Sequence, residues 1–403
     1  MLDGLTPSEK YVIQLCKNSF LKIWTHPNPV GKKGKELCDC LIVCDSHIVI
    51  ISVKEIEYKN TGDKIGFERW EKSAIKKSVS QIAGAEKWLR KSSFVKRHDG
   101  RRVSLPEEGK RNYHRISVSL GGKGEVFLKM GDFGKGYVHV FDEKALEIIF
   151  QELDTINDFV DFLIAVEGLQ EIDFRVFFSG GGVEDLLALY LSQGCSFDKV
   201  LKNYESEGGM MMIESGIWDS FSKSEDYTKM KNEREVSYVW DRLIEYYAED
   251  LLSGGFFDIK SKEVSDNELA LATMALQRRN HRWNLSQSLE EFWTSKKEEL
   301  RSRLMLGDNN TAFVLLYGKS TDRKARYSEL FLRSFVARVI FDKYEIKTII
   351  GISFDRPGSS KVGYSSEIGY VHIPEISEDD FKKAKQIQEE FGYFTGAVTK
   401  RSF

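Results

Sequence analysis

The segment that decides the fold is Lys35–Lys54, which reads KELCDCLIVCDSHIVIISVK. Two apolar runs rich in β-branched residues, Leu37–Cys44 and His47–Val53, flank the turn-forming pair Asp45-Ser46. Two such runs around a two-residue break predict a β-hairpin. We therefore expect two paired strands here, with Cys44 facing His47 across the turn.

This register places charged residues within an apolar surface. Asp39 is expected across from Ser52, and Lys54 follows two residues later on the same face. Because burial of either charge alone is costly, the pair needs a physical reason. It is either a buried salt bridge or a site for a metal ion and its water, and the residues alone leave both interpretations open.

The pattern resembles the core of the PD-(D/E)XK nuclease superfamily, in which an acid opens one strand and (D/E)-X-K lies on its partner. Asp39 matches the first acid, and Ser52-Val53-Lys54 matches the second motif. The expected surroundings are also similar, with a helix at Thr6–Lys17, a strand at Phe20–Trp24 and a further helix after the hairpin. One departure is Ser52, which stands where the superfamily usually has its second acid.

The longer pattern from Trp24 through Pro27-Asn28-Pro29 to Lys54 is similar to a group of uncharacterised bacterial nuclease-like proteins. The resemblance covers residues 5–90. It implies a restriction-endonuclease-like mixed sheet flanked by helices. It also implies an Mg²⁺- or Mn²⁺-dependent endonuclease that hydrolyses phosphodiester bonds in DNA, with a role in bacterial defence against foreign DNA. The alternative is a catalytically degenerate nuclease fold that binds nucleic acid or serves as an assembly subunit.

The chemistry explains the expected roles. A divalent cation neutralises phosphate and lowers the pKa of a bound water. Asp39 would be the metal ligand, and Lys54 would stabilise charge that develops in the transition state. Ser52 offers only a hydroxyl, so the second carboxylate must come from elsewhere, and the candidates are Glu36, Glu55 and Glu9.

Each of these acids has a competing interpretation. The hairpin register places Glu36 and Glu55 opposite each other, on the face away from Asp39, unless a bulge re-aims one of them. Thr6-Pro7-Ser8-Glu9 has the pattern of a helix capping box, so Glu9 either closes the helix N-terminus or holds the metal.

A helix is expected between Trp70 and Leu89, because its apolar residues recur at helical spacing. Ser78 and Gln81 lie on one flank of this helix. Gln81 is either a catalytic residue that reaches toward Asp39 or a polar residue at the edge of the core.

Two basic stretches are candidates for nucleic-acid binding. The loop Gly31–Lys35 contains Lys32 and Lys33, and it is either a phosphate contact or a solvated loop. The segment Lys87–Arg115 has ten basic and three acidic residues, and its candidate contacts are Lys96, Arg97, Arg101 and Arg102. Few aromatic residues accompany them, which favours duplex over single-stranded DNA.

The whole chain of 403 residues has 41% hydrophobic and 30% charged residues, which indicates a globular protein of two or three domains. We expect a nuclease-like domain at 1–170, a helical connector at 171–230 and a C-terminal α/β domain with long helices at 231–403, for recognition or assembly. Five cysteines and no signal-like segment predict a cytoplasmic protein, and no apolar run predicts a membrane span. The expected partners are DNA and either a second copy or a defence-system protein.

The later strands and helices follow from apolar spacing. Strands are expected at Ile116–Leu120, Glu125–Lys129 and Tyr137–Phe141, and Asp142 is expected to cap a helix. In the second half, the basic cluster around Arg279 and Arg282 predicts either a phosphate contact or pairing with Glu290-Glu291.

Overall fold

The computed structural model describes residues 5–31, 34–59, 64–122, 130–171, 175–204, 210–252, 265–294, 300–318, 322–355 and 366–396. The chain forms two compact units. Unit 1 comprises Met1–Glu235 and Glu245–Glu263, and unit 2 comprises Val236–Ile244 and Val264–Phe403. Both units contain helices and β-sheet, and the predicted α/β class is confirmed.

Unit 1 begins with the elements that build the predicted hairpin and its surroundings. Its helices are α1 Pro7–Phe20, α2 Lys64–Glu71, α3 Lys77–Leu89, α4 Glu143–Glu152, α5 Ile156–Glu171, α6 Val183–Ser192, α7 Asp198–Tyr204, α8 Ile217–Phe221 and α9 Glu225–Arg234. Its strands are β1 Thr25–Pro27, β2 Cys40–Cys44, β3 His47–Glu55, β4 Phe94–Lys96, β5 Arg102–Ser104, β6 Asn112–Leu120, β7 Gly131–Asp132, β8 Tyr137–Phe141, β9 Arg175–Ser179 and β10 Met210–Glu214.

The main sheet of unit 1 is mixed and has the order β1-β2-β3-β6-β8-β7. Strands β2 and β3 form the predicted antiparallel hairpin, with Cys44 paired to His47 across Asp45-Ser46. Strands β3, β6 and β8 run parallel. Parallel neighbours need a long crossover, and α2 and α3 lie within the one between β3 and β6.

Helices cover both faces of this sheet. Leu41 and Ile50 pack against Val79 and Ile82 of α3 on one side, which we call the α3 face. On the other side, Phe20 of α1 packs against Phe150 of α4. The sheet is therefore buried on both faces, which explains the continuous apolar runs of the hairpin.

The first strand lies later than predicted. The expected strand Phe20–Trp24 is wrong, because α1 continues to Phe20 and that ring is buried in the core. Leu21 then takes a positive φ of 66°, which ends the helix, and Thr25–Pro27 pairs with β2. The strands at Ile116–Leu120 and Tyr137–Phe141 and the Asp142 cap are confirmed. The expected strand Glu125–Lys129 lies outside the described residues.

The predicted connector, residues 171–230, contains strands as well as helices. Strands β9 and β10 are parallel, and α6 and α7 lie between them in the chain. The glycine-rich stretch before α6 is a helix entry, where the Gly182 N–H donates to Asp185 Oδ2 at 3.0 Å. By its contacts this segment belongs to unit 1.

Unit 2 is a smaller α/β layer. It shares α10 Tyr238–Leu252 with unit 1, and its other helices are α11 Asp266–Ala275, α12 Arg279–Thr294, α13 Arg323–Ile340 and α14 Glu378–Phe391. Its strands are β11 Arg301–Leu306, β12 Thr311–Gly318, β13 Thr348–Asp355 and β14 Ser366–His372, in that order in one sheet. Strands β12 and β13 are parallel, and α13 connects them.

The basic cluster of unit 2 has an internal role. Arg279 and Arg282 are both 2% exposed and both form ion pairs with Asp241. Arg278 pairs with Asp308. These arginines therefore have an intramolecular role. Asp241, which pairs with Arg279 and Arg282, lies on α10, distant in sequence, and Asp308, which pairs with Arg278, follows β11.

Candidate active site

A β-bulge sets the geometry around Asp39. Cys40 pairs with Ile51 in the hairpin ladder, and the Asp39 N–H also donates to the Ile51 carbonyl at 3.1 Å. Two residues of one strand thus oppose one residue of the other, which is the definition of a bulge. The predicted direct pairing of Asp39 with Ser52 is wrong for this reason.

The strand on the other side shows the same extra residue. Pro27 pairs with Cys40 and Val30 forms a bridge with Glu36, so three steps along one segment match four along the other. An extra residue reverses which side chains point to which face. Accordingly Cys38 packs on the α3 face with Leu41, although Leu41 is an odd number of residues away.

The Asp39 carboxylate is buried and held at three points. Its side chain is 4% exposed. Oδ2 accepts from the Val53 N–H at 2.5 Å and lies 3.6 Å from Lys54 Nζ, while Oδ1 accepts from Gln81 Nε2 at 3.5 Å. The bulge therefore turns Asp39 toward the end of β3, where Lys54 lies.

Gln81 links the other predicted residues into one network. Its Oε1 accepts from Lys54 Nζ at 3.0 Å and from Ser52 Oγ at 2.9 Å. The structure thus brings Asp39, Ser52, Lys54 and Gln81 together. Ser78, one turn before Gln81 on α3, donates from Oγ to the Ser52 carbonyl at 3.5 Å.

The approach to α3 explains how Gln81 reaches the sheet. The chain passes from α2 through a π-helical turn at Lys72–Lys76 before α3 begins. Ala74 and Ile75 of this turn are buried, which anchors it on the core. π-helical turns are rare and often lie beside functional sites, and this one fixes the rotation of the α3 surface that carries Gln81.

Glu36 joins Asp39 because of the bulge. The two carboxyl groups lie within hydrogen-bonding reach of each other. Burial, a hydrogen bond to Asp39 and the negative charge of Asp39 raise the pKa of Glu36 to about 7, while Lys54 opposes the rise. Glu36 therefore carries a proton for part of the time near neutral pH.

Glu9 serves as the helix cap. Its carboxylate accepts from the Thr6 N–H at 3.0 Å, and Thr6 Oγ1 accepts from the Glu9 N–H at 3.3 Å, which confirms the capping box. The negative charge of Glu9 still contributes to the raised pKa of Glu36. Glu55, which the hairpin register placed opposite Glu36, instead accepts a hydrogen bond from Ser8.

Two carboxylates fit the ligand set of a hard divalent cation. Within the described ranges, no group of three or more His, Cys, Asp or Glu side chains is arranged to hold a metal ion. Mg²⁺ keeps several waters and needs only one or two protein carboxylates. Where two carboxylates lie this close, the pKa of one of them is raised unless a cation lies beside them.

The basic candidates lie on a small hairpin beside this site. Strands β4 and β5 form it, and Val30 bonds to it by donating its N–H to the Lys96 carbonyl at 2.8 Å. Val30 also bridges Glu36, so one residue connects the hairpin to the acidic pair. We call Phe94–Ser104 the basic hairpin.

The four candidate cations of the basic hairpin lie at its surface, and three of them contact neighbouring side chains. Arg97 and Arg101 lie 3.5 and 3.9 Å from Asp99 Oδ2. Arg102 stacks over the Phe94 ring at 4.5 Å, and Lys96 is exposed. Lys96 and Arg102 are exposed, and Arg97 and Arg101 are partly exposed.

Other basic residues of Lys87–Arg115 have structural roles. Arg111 donates to the carbonyls of Leu89, Ser92 and Pro106. Arg90 and Arg115 both pair with Glu86. The charge count of this segment thus overstates the surface available to DNA. Lys32 and Lys33 lie outside the described residues.

Sequence reasoning missed several buried polar groups on the α3 face. Ser117 and Ser119 of β6 are 0% and 1% exposed, and their hydroxyls have no hydrogen-bond partner among the described residues. His26 is 3% exposed, and burial together with the charge of Arg97 lowers its pKa to about 3. The alternation of Ser117 and Ser119 within an apolar strand was the only available signal.

No family model matches this chain, and neither a curated protein nor a solved structure matches it. None of the helices that the structure describes has an apolar stretch long enough to cross a membrane.

Proposed function

We propose that this protein is a metal-dependent endonuclease that acts on duplex DNA, with restriction of foreign DNA as its role. The observation that carries the proposal is the cluster at the bulge. The carboxyl groups of Asp39 and Glu36 lie within hydrogen-bonding reach of each other, and Lys54 Nζ lies 3.6 Å from Asp39. Hydrolysis of a phosphodiester needs this combination of carboxylates and a fixed positive charge.

The roles follow from the contacts. Asp39 and Glu36 would hold Mg²⁺ or Mn²⁺, which when bound supplies charge neutralisation and a water of lowered pKa. Lys54 presents a positive charge beside them. Gln81 fixes both sides of the cluster, since its amide donates to Asp39 and its carbonyl accepts from Lys54.

Glu36 can supply the second carboxylate that Ser52 lacks. Ser52 is fully buried, and its hydroxyl is used in a hydrogen bond to Gln81. It supports the network but contributes no carboxylate. The second acid of the proposed site comes instead from the bulged strand that already carries Asp39.

Duplex DNA is the proposed substrate because of the basic hairpin. Its backbone is tied through Val30 to the segment that carries Glu36. Cations displayed on a two-stranded ribbon suit contact with the phosphates of a duplex, which position the substrate without reading its sequence.

A specific observation favours a second candidate, a degenerate nuclease fold that binds DNA without cleaving it. The Lys54 ammonium donates to the Val53 carbonyl and to Gln81 Oε1, and it forms an ion pair with Asp39 at 3.6 Å. Such a closed network is also what a purely structural ion pair would show.

Cleavage of supercoiled plasmid in Mn²⁺ tests the proposal. Asp39→Asn preserves the shape but removes the charge, and we expect it to lower the cleavage rate by at least about 100-fold. Asp45→Asn, the same change in the hairpin turn, is the matched control and should cleave normally. Wild-type cleavage by Asp39→Asn contradicts the site. DNA binding without cleavage by the native protein supports the second candidate instead.

A further inference from the structure

Two unpartnered hydroxyls lie directly beside the candidate active site. In the parallel pairing of β3 and β6, Ser117 lies opposite Ser52 and Ser119 lies opposite Lys54. Residues paired in this way share a face of the sheet. Ser117 Oγ and Ser119 Oγ therefore point to the α3 face, next to the side chains of the candidate site.

A buried hydroxyl without a partner costs free energy, so each such group needs an explanation. Within the described part of the chain, neither hydroxyl has a hydrogen-bond partner. Ser119 is 1% exposed, so bulk water does not solvate it. The Ser119 hydroxyl can therefore accept a hydrogen bond from a side chain of β3. Neighbouring strands of a sheet lie about 4.8 Å apart, so Lys54 is close to it.

Lys54 has a reason to use that acceptor. Its ammonium lies 3.6 Å from Asp39 Oδ2, on the carboxylate that would hold a cation. A divalent cation on Asp39 and Glu36 would repel a neighbouring ammonium in this partly buried setting. Lys54 would then have to withdraw from Asp39 while keeping its hydrogen bonds satisfied.

We propose that Ser119 is a positioning residue that accepts the Lys54 ammonium when a divalent cation occupies Asp39 and Glu36. This inference rests on the proposed function. Lys54 then has two positions, one paired with Asp39 and one turned toward β6. The second position keeps a positive charge beside the cluster without competing for the carboxylate.

Ser117 provides a matched control. It has the same burial, the same strand, the same face and the same unpartnered hydroxyl, but it lies opposite Ser52 rather than Lys54. Removing its hydroxyl changes the core in the same way without removing the acceptor opposite Lys54.

The test is calorimetric titration of Mn²⁺ into the full chain without DNA, with thermal melting in EDTA as the second measurement. Ser119→Ala should weaken Mn²⁺ binding by about tenfold, which corresponds to one lost hydrogen bond to a charged group. Ser117→Ala should bind Mn²⁺ as wild type does. In EDTA, Ser119→Ala should melt no lower than wild type, because its hydroxyl has no partner in that state.

A double-mutant comparison shows whether Ser119 acts through Lys54. In a Lys54→Met background, Ser119→Ala should have no further effect on Mn²⁺ affinity. An equal loss in that background overturns the inference, and so does normal Mn²⁺ binding by Ser119→Ala or a large drop of its melting temperature in EDTA. Absence of Mn²⁺ binding by wild type overturns the proposed function itself, and the inference with it.

Discussion

Glu36 lies within hydrogen-bonding reach of Asp39, three residues away in the chain, where regular strand alternation would place the two side chains on opposite faces. The extra residue at the bulge brings them together. Bulges often re-aim side chains next to active sites. This relationship supplies the second carboxylate that Ser52 does not provide.

Glu36→Gln tests that relationship. An amide at this position donates to Asp39 without needing a proton, so the metal-free protein should melt about 1–3 °C higher at pH 8. The same change removes a cation ligand, so the midpoint of Mn²⁺ binding should rise by at least about tenfold. Thermal melts in EDTA and Mn²⁺ titrations measure the two effects. The exposed Glu233→Gln is the control, and equal behaviour of the two variants would contradict the role of Glu36.

The hairpin was predictable because two apolar runs rich in β-branched residues flank the turn-forming pair Asp45-Ser46. Asp39 and Lys54 were identified because charges stand out in an apolar strand, and Gln81 because helical spacing placed it on the flank of α3. The position of the bulge was not predictable, because it depends on which backbone N–H groups donate to the Ile51 carbonyl. The pattern of apolar residues predicts a strand, but it does not show at which residue the bulge lies.

Tertiary packing decided the other differences. Phe20 has strand propensity, yet its ring is needed between α1, α4 and α5, so the helix extends to it. Arg90, Arg111 and Arg115 resemble a DNA-binding surface in sequence, but their partners are acids and carbonyls that only the fold brings close. The unpartnered state of Ser119 likewise appears only when β6 is placed beside β3.

Ser52→Asp should make stability depend on metal. The new carboxylate would be fully buried, against the Gln81 carbonyl and near Asp39, so the metal-free protein should be less stable. Added Mn²⁺ should restore its melting temperature toward that of wild type, because a ligand that binds the folded state stabilises it. Ser52→Asn has the same shape without the charge, and Mn²⁺ should raise its melting temperature no more than it raises that of wild type. A flat response of Ser52→Asp would mean that no cation binds near position 52.

Charge reversal on the basic hairpin should weaken DNA binding irrespective of sequence. Changing Arg97, Arg101 and Arg102 to Glu should also flatten the dependence of log affinity on log salt by up to about 2.7, since each phosphate contact contributes roughly 0.9. Reversal of Lys199, Lys202 and Lys229, which are exposed elsewhere in unit 1, changes the net charge equally and is the control. If both triple variants shift the slope alike, the hairpin is ordinary surface.

Acid should destabilise the protein through His114. This side chain is 4% exposed and lies 3.2 Å from His47 Nδ1. Burial, together with repulsion from His47, His139 and Arg115, lowers its pKa to about 3. The unfolded chain binds the proton below about pH 6.5 and the folded chain does not, so stability is full above that pH and falls as pH drops toward 3.

The free energy of unfolding should fall by at most about 1.4 kcal/mol per pH unit for one histidine. Denaturant unfolding of wild type and His114→Gln at pH 6.5 and 5 measures it. The variant should lose about 1–2 kcal/mol less than wild type over this range, whereas the exposed His98→Gln should follow wild type. Parallel pH curves for wild type and His114→Gln would show that this imidazole is not kept neutral by the fold.

The most direct test of the central claim is a crystal structure with Mn²⁺, in which anomalous scattering locates the metal. The account predicts a peak about 2–2.4 Å from carboxylate oxygens of both Asp39 and Glu36, with the Lys54 ammonium withdrawn from Asp39. A crystal saturated with Mn²⁺ that shows no peak at these two residues, and Lys54 still paired with Asp39, would contradict it.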